Sequence, residues 1–303
     1  MNSLFETIGS HHLYQMTDKI DAQNEQKIVN EMKRITCRKA ISFKINRSKK
    51  PSLTDSKFGG IPYWDLKKEY PKSSNDELLM MLAQINLDEL NREGKNVENK
   101  LPKGGMLQFF INGYDDTMGM DFDFKFEDGR LKQDGFRVVY HETIDYNVSP
   151  DEIMKIDMPI STDSCDLITP VFKEVKVDSE VRETYIGGEN FQFQQILQQA
   201  AKAFGFEINE NDSPFELFED HGDIIYEQLN TSGHWMLGYP AFTQEDPRGF
   251  NKDLVAYNVQ LFQMDSDGEE VLWGDCGVAN FFIKDEDLAK KDFSNILYSW
   301  DCC

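Results

Sequence analysis

The sequence predicts an α+β protein, predominantly antiparallel β, built from two related units that arise by internal duplication and pack closely. Three observations predict it. Segments recur in the same order in the two halves: Gly60-Ile61-Pro62, Leu82-Ala83-Gln84-Ile85-Asn86 and Gly105 to Asn112, then Gly238-Tyr239-Pro240, Leu261-Phe262-Gln263-Met264-Asp265 and Gly277 to Lys284. Short aromatic segments alternate with glycine-containing turns while helical patterns are few, which favours antiparallel strands over βαβ units. No Gly/Ser-rich linker separates the halves, so one compact body is expected.

Leu13, Met16 and Ile20, then Ile28, Met32 and Ile35, recur at helical spacing and predict a helical segment over residues 1–39, interrupted at Asp21 to Gln26. The first β-rich unit follows over 40–150. Ala40 to Ile45 alternates at period two as a strand, and Pro51 to Tyr63 is a loop. Leu78 to Ile85 is a short apolar run that fits a buried strand or a helical turn, and the polar stretch Asp88 to Lys100 reads as loop. Gly104-Gly105 opens a strand over Met106 to Ile111. Met120 to Phe126 sets Phe122, Phe124 and Phe126 against Asp121, Asp123 and Lys125, the pattern of a half-exposed strand, and Phe136 to Tyr140 is another.

Residues 151–223 are expected to connect the units, with a helix near 191–204 whose apolar face is Ile196, Leu197, Ala200, Ala201 and Phe204 and whose stop is Gly205. The core of the second unit is 224–303. Strands are expected at 224–239, 254–264, Val278 to Ile283 and Ile296 to Trp300, with a helix at Asp285 to Lys291.

The 303 residues are 40% hydrophobic and include 22 Phe and 11 Tyr, enough for a substantial core. With 32 basic against 54 acidic residues the net charge is −22, which repels a phosphate backbone and an anionic lipid surface alike. Neither a nucleic acid nor a membrane is an expected partner; a basic protein or peptide is compatible. The polar stretch from Asn2 to Leu13 does not resemble a secretory leader, and no apolar run reaches the roughly 20 residues that span a bilayer. The expected compartment is the cytoplasm. Cys37, Cys165 and Cys276 are isolated and Cys302-Cys303 adjacent, an arrangement without disulfide or metal spacing.

Motifs with defined chemistry fail one by one. His221 among Glu219, Asp220 and Asp223 lacks a second histidine or cysteine at a liganding interval. Around Gly268, Gln263 and Gly274 stand where an EF-hand needs carboxylates. Gly104-Gly105 and Gly187-Gly188 lack the phosphate-cradling pattern and its lysine, and no serine sits in a nucleophile elbow. No metal and no cofactor are expected. The candidate ligand-binding residues are His234 and Trp235, which precede the Gly238-Tyr239-Pro240 turn, with Trp64, Gln84, Gln263 and Asp275. His234 lines a pocket or is a satisfied strand histidine. Gln84 and Gln263, with Gln108 and Asn280, either tie loops to the sheet or receive a bound peptide backbone. Cys276, between Asp275 and Gly277, is a structural thiol or a nucleophile.

At Phe58-Gly59-Gly60-Ile61-Pro62, Leu82 to Leu87, Leu101-Pro102 and Leu107 to Phe110, then Gly233 to Pro240, Leu261 to Asp267 and Trp273 to Ile283, the chain resembles the DUF1963 family, whose bacterial examples include YwqG proteins. The resemblance runs from about residue 40 to the C-terminus. It lends no catalytic residues. Through a remote similarity of that family to the PDCD2 and TSR4 group, and through members among toxin-immunity genes, it implies a protein- or peptide-binding role, chaperone-like or immunity-like. The alternative is a hydrolase or other small-ligand enzyme assembled around His234 with Asp275 and Cys276.

Overall fold

The computed structural model describes residues 19–161 and 167–303; Leu13, Met16 and Cys165 of the sequence reading lie outside them. The chain runs through α1 (Ala22–Thr36), β1 (Arg38–Asn46), β2 (Lys57–Phe58), β3 (Met80–Asn86), α2 (Leu87–Arg92), β4 (Met106–Ile111), β5 (Phe126–Glu127), β6 (Arg130–Leu131), β7 (Phe136–His141) and α3 (Pro150–Ile153). It continues through β8 (Val175–Thr184), α4 (Phe193–Lys202), α5 (Pro214–Leu217), α6 (Asp223–Gln228), β9 (His234–Met236), α7 (Pro247–Phe250), β10 (Val259–Asp265), β11 (Val278–Ile283), α8 (Asp285–Ala289) and β12 (Ile296–Asp301).

Ten strands join in one sheet in the order β12-β11-β10-β9-β1-β8-β2-β3-β4-β7. Every pairing within it is antiparallel. The expected α+β class with a large antiparallel sheet is what the chain adopts. β8, from the stretch expected to connect the units, lies beside β1 at the centre, paired from Arg38–Thr184 to Asn46–Lys176. To one side come β2, β3, β4 and β7; to the other β9, β10, β11 and β12.

The sheet curls until its inner face meets itself, close to a barrel. Alternation places Ile41, Phe43, Leu107, Phe109, Phe262, Phe281 and Tyr298 in one buried cluster. Phe109 of β4 stacks on Phe262 of β10 at 4.6 Å, and Phe136 of β7 meets Tyr298 of β12 at 5.0 Å, so rings from the two flanks fill the space between them. Each buried ring adds about 2–3 kcal/mol of apolar transfer. Between β7 and β12 the β4–β7 connection is fastened to the far flank. Tyr298 Oη donates to the Met118 carbonyl (3.2 Å), Trp300 Nε1 to the Thr117 carbonyl (2.7 Å), and the Leu131 N–H to Asn295 Oδ1 (3.1 Å).

The outer face carries three covers: Trp64, Tyr70, Phe110 and Ile153 over one flank, Phe242, Leu254, Tyr257 and Leu297 over the other, and a helical layer of α1, α4 and α6. The expected break at Asp21 to Gln26 is the start of α1, since the Asp21 carboxylate accepts the Asn24 N–H (2.8 Å) as N-cap. Glu25, fully buried, accepts the Ile225 N–H of α6 (3.1 Å). Its carboxyl is pushed up to about 8, chiefly by burial and then by the adjacent Asp220.

Three expectations are corrected. Asp88 to Lys100 contains α2 and a further short turn of helix at Val97–Asn99; Asn86 caps α2 through the Glu89 N–H (3.1 Å), and Leu87 and Leu90 bury its apolar side. Of Met120 to Phe126 only Phe126 enters a strand, β5, because the Asp121 carboxylate gathers the N–H groups of Asp123 and Lys125 (3.0 and 3.1 Å) and Phe124 turns to φ +47°. Residues 224–239 are mostly not strand: they begin in α6, and the only strand among them is the three-residue β9. Gly222, at φ +81°, precedes α6, and the buried Glu25 completes that helix start.

Candidate functional site

The recurring amides serve one purpose in both flanks. Gln84 Oε1 accepts the Tyr63 N–H (2.9 Å), while its Nε2 donates to the Leu53 and Asp55 carbonyls (both 2.8 Å). Gln263 Oε1 accepts the Ala241 N–H (2.7 Å), while its Nε2 donates to the Thr231 and Gly233 carbonyls (2.9 and 2.8 Å). From the next strand out, Gln108 donates to the Tyr63 carbonyl (2.6 Å) and Asn280 to the Ala241 carbonyl (2.8 Å). Both central glutamines are fully buried, and the donors and acceptors of their amides are occupied by their own chain. These bonds hold the turn after β2 and the turn after β9 against the sheet. The two turns also share an unusual backbone: Gly59 and Leu237 sit at φ +61° and +66°.

His234 and Trp235 point to opposite sides of β9. The His234 ring lies 4.9 Å from Phe58, edge to face, and its Nδ1 accepts the Asp265 N–H (3.2 Å). Burial pushes it down to about 4, so it is neutral at pH 7, with the proton on Nε2 and the one ring lone pair already used. That arrangement offers no general base. Trp235 is half-buried and donates to the Ser232 carbonyl (2.8 Å). Asp275 and Cys276 are exposed on the β10–β11 turn, and among the described residues no hydrogen bond joins either to His234. Trp64 is 1% exposed, packed on Tyr70, Phe110 and His141. The candidate residues are thus distributed over both flanks and do not converge on one cavity. No cluster of three metal-ligating side chains occurs among the described residues.

What the structure does bring together is a groove of about 690 Å³ between the β4–β7 connection, α7 and β12. Met120, Phe122 and Phe124 line it from the first element, Pro247 and Phe250 from the second, and Trp300 and Asp301 from the third. Phe122 and Phe250 are 66% and 65% exposed, the two most exposed large apolar side chains among the described residues. Trp300 is fixed from below, its backbone N–H 3.1 Å from Met120 Sδ.

Phe250 is presented by a buried ion pair. Asp246 caps α7 through the Arg248 N–H (3.1 Å) and grips the Arg248 guanidinium through both oxygens (2.8 and 2.6 Å). The guanidinium lies over Phe282 at 4.2 Å and Phe191 at 5.1 Å, and also donates to the Tyr257 carbonyl (3.3 Å). Such a pair fixes geometry at little net gain in stability.

The groove is acidic. Glu245 and Asp301 line it, and no lysine or arginine does. Asp301 Oδ2 accepts the N–H groups of Thr243 and Gln244 (3.0 and 2.8 Å), whereas Oδ1 is buried without a partner. Burial raises the Asp301 carboxyl above its ordinary range; Glu189 is raised too, by burial and by the charge of Asp301. Phe122 and Phe124 were visible in the sequence as strand residues only, and Phe250, Trp300 and Asp301 carried no signal that joined them.

The family comparison accords with the strand-and-turn segments. The family described as Domain of unknown function (DUF1963) matches residues 56–302, and the chain belongs to that family. A search of curated proteins finds no match.

Proposed function

We propose that the protein is a polypeptide-binding module whose contact surface is the aromatic, acidic groove, with its two flanks derived from one duplicated β-rich unit. The observation that carries the binding reading is the pairing of Phe122 and Phe250, exposed to about two thirds, with a lining that contains two carboxylates and no cation. Apolar rings held out in water over a built floor mark interaction surfaces. The net charge of −22 favours a basic partner and steers its approach. The cytoplasmic, chaperone-like or immunity-like setting, and the remote kinship with the PDCD2 and TSR4 group, stay within this proposal. Among the described residues no helix is long and apolar enough to cross a membrane.

The duplication reading is supported by the strand order, which runs outward from the β1–β8 pair in the same sense on each side, and by the paired amides. It is supported further by β-bulges at Leu82 in β3 and Leu261 in β10, each facing the next strand out.

The test is affinity capture from host cells at low salt with wild type and with a Phe122→Ser/Phe250→Ser variant. A basic protein held by wild type, released as salt rises and lost from the variant, supports the reading. Recovery of the same proteins by both removes the groove from it.

A further inference from the structure

We infer that the groove selects an arginine side chain of the partner, held against aromatic rings beside a carboxylate that has no counter-cation. The inference rests on the polypeptide-binding reading and names what that site recognises. Its first support is a charge without a counter-charge. Asp301 makes no ion pair among the described residues, and two backbone N–H groups on Oδ2 are its only donors. Its Oδ1 is buried without a partner, so the fold leaves the carboxylate only partly compensated. Glu245 on the rim adds a second carboxylate, and no cation in the lining opposes the two.

The second support is the lining. Phe122, Phe124, Phe250 and Trp300 supply aromatic rings to the lining, and the negative face of such a ring attracts a cation. A planar guanidinium stacks on rings while keeping donors at its edge for a carboxylate, which the compact, strongly hydrated ammonium of lysine does less well. The chain uses both parts of this chemistry at the buried Arg248 and the ring contact alone at the half-buried Arg38. Arg248 lies over Phe282 at 4.2 Å with Asp246 forked to it, and the Arg38 guanidinium lies 3.5 Å over the Tyr239 ring. The groove presents the same two components, rings and carboxylate, with the guanidinium left to come from outside.

The experiment is isothermal titration of the intact protein with a five-residue peptide that places arginine between two phenylalanines, with its citrulline isostere, and with the lysine counterpart. Citrulline keeps the shape and removes the charge. The expected result is binding of the arginine peptide at least tenfold tighter than the citrulline peptide, with lysine between them. Asp301→Asn is expected to shrink the arginine-to-citrulline ratio below threefold while leaving citrulline binding unchanged. Phe250→Ala is expected to weaken both. Glu245→Gln, on the exposed rim, supplies the charge test if Asp301→Asn does not fold; it is expected to lower the ratio about twofold.

Equal binding of the arginine and citrulline peptides overturns the inference and leaves the polypeptide reading standing. Absence of binding by the arginine peptide also overturns it. The capture comparison with Phe122→Ser/Phe250→Ser then decides independently whether the groove holds a polypeptide at all.

Discussion

The flank made of β2, β3, β4 and β7 and the flank made of β9, β10, β11 and β12 share a hydrogen-bond framework and differ in what covers it. In each, a buried glutamine pins a turn against the sheet through the same three kinds of bond. The difference lies at the ends of the outermost strands. His141 pairs with Met106 where Asp301 pairs with Val278. His141 is sealed between Tyr63 and Trp64, its Nε2 2.9 Å from Gln108 Oε1 and its Nδ1 buried without a partner, as is Asp301 Oδ1, and burial pushes the ring down to about 4. Asp301 instead faces a groove with exposed rings. The lesson is a division of labour: what recurs in the two flanks builds the sheet, and what fails to recur is where a partner is to be sought.

The largest effect expected from this comparison is at the sealed cover. Trp64→Ala, which empties a site 1% exposed, is expected to cost about 3–5 kcal/mol in chemical denaturation. A cost below 1 kcal/mol would show that the first flank is not closed as described. Next come the amides. Gln84→Ala and Gln263→Ala each leave one N–H and two carbonyls without their partner, and each is expected to cost about 3 kcal/mol. A large loss at one position with none at the other breaks the equivalence of the two flanks.

A pH dependence follows from the buried imidazoles, one in each flank. His141 and His234 both sit near 4 in the folded protein, below the ordinary histidine value, so the unfolded chain takes up protons first as pH falls. The stability they confer is complete above about pH 6.5 and is lost as pH drops towards 4, by roughly 3 kcal/mol for each. Glu25, pushed up to about 8, acts in the opposite sense over the same range. The readout is therefore the difference between wild type and His141→Gln, which should grow by roughly 3 kcal/mol in favour of wild type from pH 4 to 7. An unchanged profile in the variant would mean that His141 is accessible to protons in the fold. The smallest effect is the most telling for function. Phe122→Ser and Phe250→Ser are expected to change stability by no more than about 0.5 kcal/mol each, because both rings stand mostly in water. A loss above 2 kcal/mol would make them structural.

Much of the fold was legible because its long strands are buried on both faces. β3, β4, β10 and β11 read as continuous apolar runs bounded by turns, and the residues that interrupt those runs, Gln84, Gln108, Gln263 and Asn280, stood out for that reason. Local side-chain bonds defeated the reading elsewhere. Asn86 with Glu89 was a legible helix start that the polar stretch after it concealed, and Asp121 overrode an alternation of phenylalanines that fitted a strand. Glu25 caps α6 across some 200 residues, beyond any local pattern. The groove was illegible for the same reason, since Phe122, Phe250 and Trp300 meet only when β7 and β12 close on each other. Residue type gave no warning that two phenylalanines would be left outside the core.

The most direct test of the central claim, that the groove is where a polypeptide binds, is site-specific photocrosslinking in host cells from a benzoylphenylalanine placed at Phe250, at Phe122 and, as control, at the remote exposed Phe215. The account predicts the same protein adduct from positions 250 and 122, suppressed by the arginine peptide, and none from 215. Adducts from position 215 with none from 122 or 250 would contradict it.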